Sequence, residues 1–483
     1  MSESTPWYRR LGPALITACV VIGPGSILTS SNVGVKYGYS LSWVVIVSVF
    51  FMLVFMSMGA RLGVSTKESA GTLIANRVGR WFAVLIGISV FFISAAFQFG
   101  NNLGVHYALA TYVDSNYLVV AFNALAIGFL LVFRNMYRAL EKLMMLFVGI
   151  MLVAFLCNLV IARPRIGEWV QGLVPTSFSN LDLTVLALIG TTFVTTAAFY
   201  QSYLVRQKGW SKAELKEGMI DVRVGVLVMA LITLMLMATP ATVFHEDFKQ
   251  QFVIKDAGKS ELNKDDTLII DDSDEERFNR LKSNALASTG WKSESAKWKT
   301  VIPLSEFEQT YGKQKPAVVI AAREFKDLPE VGLSLRPLFG DIGPHLFFLG
   351  VFAAAYSSFL VNSMIGGFIL ADGLGIGDRP QDRWPKIFTI CVLLTGMGVG
   401  LYCIFNNKRP VGLIVAAQAV TVLAAPLVAG TLLWLTSNKQ VMKDNVNGPF
   451  AFAAGIFGFL LLLVMSGNIA INSVIPAILN AFG

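Results

Sequence analysis

Long apolar segments separated by short polar connections recur along almost the whole chain. Each segment is long enough to cross the about 30 Å of hydrocarbon in a bilayer as a helix. Eleven such segments are predicted, and they begin near Leu11, Leu41, Trp81, Tyr117, Ala139, Leu183, Val222, His345, Lys386, Val411 and Pro449. The pattern therefore predicts an all-α polytopic membrane protein.

The first apolar segment is interrupted at its middle by the run Gly23-Pro24-Gly25-Ser26. A bilayer offers no water to unpaired backbone groups, so a broken helix at that depth must line a binding site or a cavity. Secondary transporters hold their substrates at such breaks. The break predicts a transporter. Since no Asp or Glu lies near it in the sequence, the substrate is not expected to be a bare metal cation.

The sixth segment carries β-branched residues at its centre, from Thr191 to Thr196. Their side chains either pack between helices or turn toward a cavity and compete for backbone hydrogen bonds. A second break at this place, five spans after the first, is what an inverted repeat of five plus five helices predicts.

One interval departs from the apolar pattern, which divides the chain into three parts. Residues 1–245 are predicted to hold the first seven helices and residues 337–483 the last four, with a polar insert at 246–336 between them. The acidic run of the insert lacks the spacing of a calcium loop, which indicates a solvated face. Its apolar runs, 267–270 and 317–322, are expected to form short strands or helices of a small cap.

Composition agrees with a membrane protein, and charge suggests its orientation. The chain is 54% hydrophobic and 14% charged, with a mean hydropathy of +0.61 and a net charge of +8. Most Lys and Arg residues fall on alternate short connections, so the positive charge indicates topology and not nucleic-acid binding. The opposite short connections hold only Lys36, Arg163, Arg165, Lys408 and Arg409. This asymmetry predicts a cell (inner) membrane protein with a cytoplasmic N-terminus, and an external insert and C-terminus.

Short motifs spread over nearly the whole chain outside the insert resemble the NRAMP family of proton-coupled divalent metal transporters. The matching positions are Pro24-Gly25 and the run 37–43 at the first helix, Leu140-Glu141, 162–164 and 172–175 at the fifth, Ile189-Gly190, Ser202 and Leu204-Val205 at the sixth, Ser357-Ser358 at the eighth, and Gln418 and Pro426 at the tenth. The resemblance implies the leucine-transporter-type fold: two inverted five-helix repeats plus an eleventh helix, with helices 1 and 6 broken.

The sequence departs from this family where the family binds metal and carries protons. Gly23 and Ser26 stand at the positions of the family's Asp and Asn, and the run 194–196 replaces its Met-Pro-His. Ser94 and Phe97 replace an acidic pair on the third helix. Without a carboxylate, a divalent charge is unbalanced in a low-dielectric cavity, at a cost of several kcal/mol even after relaxation. The substitutions therefore predict the loss of transition-metal binding and of the proton route.

The remaining candidate site is neutral, polar and aromatic. Its predicted substrate-binding residues are Gly23, Gly25, Ser26, Ser94, Phe97, Gln98, Thr191, Val194, Thr195, Thr196, Tyr356 and Gln418. The fold implied by the resemblance makes Ser357 and Ser358 a possible sodium site, because in that fold two hydroxyls of the eighth helix can face the carbonyls of the first break. No other metal site and no cofactor are predicted.

Three functions remain open at this point. The main expectation is transport of a small uncharged or zwitterionic solute, because many donors and acceptors without charge suit such a molecule. The first alternative is a divalent metal ion (manganese, iron or magnesium) held by carbonyls, hydroxyls and waters. The second is a non-transporting receptor or scaffold that uses the insert. An enzyme is not expected, since the sequence shows no nucleophile–base pair or phosphate loop. Partners other than the substrate and the bilayer are not predicted, and a monomer is consistent with the sequence.

Overall fold

A computed structural model gives the architecture of the chain. It describes residues 13–110, 112–113, 115–132, 136–175, 183–249, 342–379, 381–406 and 411–471, together with 251–254, 267–270, 300–303, 305–306, 309, 318–320, 328–334 and 340 of the intervening region.

Helices form in each of the eleven predicted segments. The first consists of α1 (Pro13–Val21) and α2 (Pro24–Tyr37), and the second is α3 (Ser42–Ser65), followed by the short α4 (Ala70–Arg77). The third to fifth are α5 (Arg80–Ala110), α6 (Leu118–Val132) and α7 (Met136–Ala162), followed by the short α8 (Ile166–Gln171). The sixth consists of α9 (Leu183–Thr192) and α10 (Thr195–Lys208), and the seventh is α11 (Leu215–Lys249).

The second half continues after the insert. A short α12 (Leu328–Ser334) precedes the last four segments, which are α13 (Ile342–Leu374), α14 (Arg383–Phe405), α15 (Val411–Ser437) and α17 (Pro449–Ile469), with the short α16 (Lys439–Met442) before the last. Among the described residues, eight helices are long and apolar enough to cross a membrane. The predicted all-α membrane architecture is confirmed.

Both predicted helix breaks are present. Between α1 and α2, Gly23 has an extended backbone with φ −125° and ψ 176°. Between α9 and α10, Val194 is likewise extended, with φ −85° and ψ 93°. The Phe193 ring anchors this second break, because it packs on Phe51 and Phe55 of α3 at centroid distances of 5.8 and 5.1 Å.

Small residues bring α5 and α13 into close contact along much of their length. A Cβ built on Gly366 of α13 would lie 2.7 Å from the Cβ of Ser94, and one built on Gly373 would lie 2.5 Å from the carbonyl oxygen of Ala83. Close approach through small residues is a common way for membrane helices to associate. Here it places polar side chains of α5 directly against those of α13.

The described parts of the insert form a small sheet and one helix. The strands are β1 (Gln251–Ile254), β2 (Thr267–Ile270), β3 (Thr300–Pro303) and β4 (Val318–Ile320). Their order is β3-β2-β1-β4, with β1 antiparallel to both neighbours and β2 parallel to β3. Strands therefore form at both apolar runs of the insert. Its acidic run lies outside the described residues.

The predicted limits of the insert differ from the limits of the helices. The start at 246 falls inside α11, which continues to Lys249. Before the predicted end at 336, Leu328 and Val331 of α12 are buried against the membrane helices α2, α5 and α13. α12 therefore packs with the helical bundle, although the sequence grouped it with the polar cap. The division into three parts stays a prediction.

Candidate functional site

A small cavity lies at the break between α1 and α2. Its volume is ≈ 10 Å³, about enough for one water molecule. It is lined by residues of α1, α2 and α5, including Gly23, Gly25, Ser26, Phe97 and Asn101. The first break therefore adjoins a cavity, as its sequence predicts, and Phe97 supplies an apolar part of the wall.

Two side-chain oxygens occupy the space next to Gly23. A Cβ built on Gly23 would lie 3.2 Å from both Asn101 Oδ1 and Ser358 Oγ. Asn101 Nδ2 in turn donates to Ser358 Oγ at 3.2 Å. A residue with a side chain at position 23 thus requires its neighbours to shift, because an amide oxygen and a hydroxyl oxygen lie directly beside it.

The carbonyl groups that end α1 also face this cluster. Ser358 Oγ donates to the carbonyl oxygen of Val20 at 3.3 Å, and Ser26 Oγ donates to that of Val21. A helix C-terminus leaves its last carbonyls without backbone partners and carries partial negative charge. The break therefore gathers neutral oxygens beside the partly negative end of α1, with the partly positive start of α2 next to them.

An uncharged polar cluster extends from this point along α5 and α13. Asn101 Nδ2 donates to Gln98 Oε1 at 3.3 Å, and Asn362 Nδ2 donates to the carbonyl oxygen of Ser94 at 2.8 Å. All of these side chains are buried. Gln98 Nε2, Ser94 Oγ and Asn362 Oδ1 have no hydrogen-bond partner among the described residues. Ser94 and Gln98 therefore adjoin the site, but no titratable side chain belongs to this cluster.

The threonines of the second break do not reach the cavity. Thr191 Oγ1 donates to the carbonyl oxygen of Leu188 in its own helix, and Thr195 Oγ1 donates to that of Ala425 on α15 at 3.3 Å. Among the described residues that line the cavity, none belongs to α9 or α10. Val194 and Thr196 are buried, with Val194 in the apolar core. The expectation that these residues face Gly23 is not met in this conformation.

Three other predicted residues lie apart from the cavity or cannot be placed. Tyr356 belongs to an aromatic cluster and stacks on Phe352 and Phe359 at 5.9 Å. Ser357 Oγ donates to the carbonyl oxygen of Ala354 in its own helix, whereas Ser358 Oγ donates to that of Val20 at the end of α1. Gln418 lies in α15, but its side chain falls outside the described part of the chain.

A buried carboxylate that the sequence did not single out lies at one end of α13. Asp372 accepts hydrogen bonds from Ser69 Oγ at 2.5 Å, from the Gly71 backbone N–H at 2.8 Å and from Tyr203 Oη at 2.5 Å. It thereby ties α13 to α10 and to the start of α4. The signal in the sequence is a lone acidic residue in the last turn of a long apolar segment.

The described residues contain no group of three or more His, Cys, Asp or Glu that could hold a metal ion. Any cation at the first break therefore depends on the amide oxygen of Asn101, the hydroxyls of Ser26 and Ser358, and the carbonyls of Val20 and Val21.

Comparisons with known proteins agree with this architecture. A family model described as "Nramp: Natural resistance-associated macrophage protein-like" matches residues 14–260 and 317–472. A divalent metal cation transporter MntH of Chromohalobacter salexigens is 27% identical over 473 residues, covering 95% of this chain and 90% of the relative. Another MntH, from Yersinia enterocolitica, is 24% identical over 479 residues, covering 95% and 92%.

A solved structure resembles the chain over almost its full length. The crystal structure of the Eremococcus coleocola manganese transporter, in complex with an aromatic bis-isothiourea substituted compound, superposes with a TM-score of 0.72. The two sequences are 16% identical, and the match covers 98% of this chain and 89% of the other. This likeness confirms the predicted leucine-transporter-type fold with broken first and sixth helices.

Proposed function

The chain belongs to the Nramp family of natural resistance-associated macrophage protein-like membrane proteins, and from that premise we propose that it is a divalent metal cation transporter and not an enzyme. Two relatives are named divalent metal cation transporters, and the match to this chain covers at least nine-tenths of the length of each. The observation that carries the proposal is the convergence of neutral oxygens on the carbonyl end of α1. The main expectation from the sequence, a neutral solute, has no support among the relatives.

A neutral site suits a cation that keeps most of its water. Mg²⁺ loses water reluctantly and often retains several waters besides the one or two carboxylates of its usual sites, and Mn²⁺ accepts carbonyl and water oxygens. Oxygen from Asn101, Ser26 and Ser358 would contact the water shell and share the ion's charge. Since no thioether or carboxylate lines the described cavity, we expect weak binding and little discrimination between these ions.

Movement of the helices is a necessary part of this proposal. A cavity of ≈ 10 Å³ holds about one water molecule, so a hydrated ion enters only when α2 and α5 separate. Broken helices at the midplane and movement around a fixed site are features of secondary transporters. We propose that the described conformation is a closed one. We also keep the cytoplasmic N-terminus and inner-membrane location as proposals, supported by the distribution of Lys and Arg.

Uptake into proteoliposomes tests this function. We expect saturable entry of Mn²⁺ and Mg²⁺, followed by a fluorescent indicator inside the vesicles. Ser26→Ala removes one hydroxyl of the site and should lower the initial rate severalfold. Ser89→Ala is the matched control, because Ser89 is half-buried on α5, does not line the cavity and donates to the carbonyl oxygen of Leu85.

The contrary outcome is equally clear. The proposal is wrong if neither ion enters faster than into protein-free vesicles while sugars, amino acids or nucleobases stabilise the protein in a thermal-shift screen. Transport of a neutral solute would then be the better supported hypothesis.

A further inference from the structure

A second, larger cavity lies away from the first break, where the ends of α2 and α11 meet α8. Its volume is ≈ 460 Å³, which is within the range of about 300–1,000 Å³ typical of small-molecule sites. Its walls come from Lys36 to Ser40 at the end of α2, from Arg165 to Gly172 around α8, and from Ala241 to His245 of α11. Nothing in the proposed transport site uses this cavity.

The side chains on the outer face of α8 indicate where the cavity lies relative to the membrane. Ile166 and Val170 are 60% and 58% exposed, and Val174 just after the helix is also 58% exposed. The polar residues of the same segment, Arg165 and Glu168, line the cavity instead. An exposed apolar face beside polar residues is typical of segments at the membrane interface. We therefore infer that the cavity opens at the level of the lipid headgroups.

Among the described residues that line the cavity, basic side chains outnumber acidic ones. Lys36 and Arg165 each bring one positive charge and Glu168 one negative charge, with His245 as a further titratable group. Arg165 Nη1 lies 3.1 Å from Glu168 Oε1, but both side chains are more than half exposed. Such an exposed ion pair contributes little, so it does not prevent the guanidinium from contacting an anion.

The walls around these charges are fixed by hydrogen bonds and packing. Tyr39 Oη lies 2.6 Å from Thr242 Oγ1 and accepts from the Arg165 backbone N–H at 3.3 Å. The same ring stacks on Trp169 at a centroid distance of 6.3 Å. His245 Nδ1 lies 2.8 Å from the carbonyl oxygen of Val35, which ties α11 to α2. These contacts hold the three walls of the cavity in fixed positions relative to one another.

We propose that this cavity binds the phosphate-bearing headgroup of a membrane phospholipid. The phosphate contacts Lys36 and Arg165, polar headgroup atoms contact Glu168 and Gln171, and the acyl chains follow the apolar outer face of α8. Basic pockets between membrane helices bind phospholipid headgroups on the cytoplasmic side of other membrane proteins, and the same chemistry applies to a pocket on the outer side. With the predicted orientation, the lipid belongs to the outer leaflet. A lipid bound there joins the end of α2 to α8 and α11.

Binding of short-chain lipids to the full-length protein tests the site. The purified protein in an uncharged detergent is titrated with dioctanoyl-phosphatidylglycerol, dioctanoylglycerol, glycerol phosphate or inorganic phosphate, and thermal stability is measured. We expect saturable stabilisation by the phospholipid alone. Arg165→Gln and Lys36→Gln should each weaken its binding about fivefold, since a basic residue near a lipid phosphate contributes about 1 kcal/mol.

Arg163→Gln is the matched control, because Arg163 is exposed on the same connection but does not line the cavity. It removes the same charge and should leave binding unchanged. Equal losses in Arg163→Gln and Arg165→Gln would indicate a general surface potential and overturn the site. Equally strong binding of glycerol phosphate or inorganic phosphate would overturn the lipid as its occupant, as would the absence of saturable stabilisation by the phospholipid.

Discussion

The backbone at Gly23 lies so close to Asn101 and Ser358 that the identity of residue 23 determines the shape of the first break. A Cβ at 3.2 Å from both oxygens is tighter than ordinary van der Waals contact. The sequence correctly predicts a helix break at this glycine. It does not predict that an amide and a hydroxyl from two other helices fill the space, because that depends on how α5 and α13 pack.

Gly23→Ala tests the importance of this contact. We expect the added methyl group to push Asn101 or Ser358 aside and to lower the rate of cation uptake severalfold, with destabilisation of about 1–3 kcal/mol as for other overpacked cores. Gly149→Ala is the control, because a Cβ there meets no atom within 4 Å. Unchanged uptake by Gly23→Ala would show that the oxygens next to residue 23 do not contact the ion.

Restoring an acidic side chain requires that space be made for it. Gly23→Asp alone is expected to gain little affinity for Mn²⁺, because its carboxylate meets Asn101 Oδ1 and Ser358 Oγ. Gly23→Asp combined with Asn101→Ala should bind Mn²⁺ more tightly than either single variant, since the carboxylate then balances the charge of the ion. Calorimetry on the four proteins measures this, and equal affinities would show that the carboxylate does not reach the ion.

Helices and their breaks were more predictable from the sequence than the contacts between them. Hydrophobic segments and the Gly-Pro-Gly run locate α1 and α2, and the threonine run locates the break before α10. The separation of Thr191 and Thr195 from the cavity was not predictable, because a hydroxyl in a membrane helix can satisfy its hydrogen bond within its own helix or on a neighbour. The burial of Asp372 was missed for a similar reason: its donors come from distant parts of the chain.

The Asp372 cluster is expected to stabilise the junction of α13, α10 and α4. Asp372→Ala leaves the donors at Ser69, Gly71 and Tyr203 without their acceptor, so we expect destabilisation of about 2–5 kcal/mol. Asp444→Ala should change stability by less than about 0.5 kcal/mol, because this side chain is 93% exposed and lies 3.7 Å from Lys212. Thermal unfolding of the purified variants compares the two, and similar midpoints would contradict a structural role for Asp372.

The insert and α12 are expected to respond differently to change. Replacing residues 256–315 by a short Gly/Ser linker should leave the membrane helices folded, since loop length has little entropic cost.

Leu328→Asp should destabilise the protein, because it puts a charge where Leu328 is only 2% exposed. Size-exclusion chromatography and thermal unfolding check both variants. Aggregation of the shortened protein alone would show that the insert is part of the core.

At the scale of the whole molecule, the first cavity determines whether cation uptake is coupled to a proton gradient. Its described lining residues include no titratable side chain. A proton needs a group that changes charge, and none of Gly23, Ser26, Asn101 and Ser358 does so in the physiological range. We therefore expect an inward proton gradient to leave the initial rate of cation uptake unchanged. Acceleration by that gradient would contradict the neutral description of the site.

Sodium coupling is a separate question, and the variant Ser358→Ala tests it. Ser358→Ala removes a hydroxyl that contacts both Asn101 and Val20. If sodium binds there, an inward sodium gradient should accelerate uptake by the parent protein and not by this variant. Equal rates with and without the gradient in the parent protein would rule out sodium as the coupling ion.

The most direct test of the account is the comparison of Mn²⁺ and Mg²⁺ uptake by the same proteoliposomes over a range of concentrations. A site of neutral oxygens predicts saturable uptake of both ions with similar, weak apparent affinities, and a lower rate for each in Ser26→Ala. Micromolar affinity for Mn²⁺ with exclusion of Mg²⁺ would contradict a site without a thioether or carboxylate ligand. The absence of saturable uptake of either ion would contradict metal transport itself.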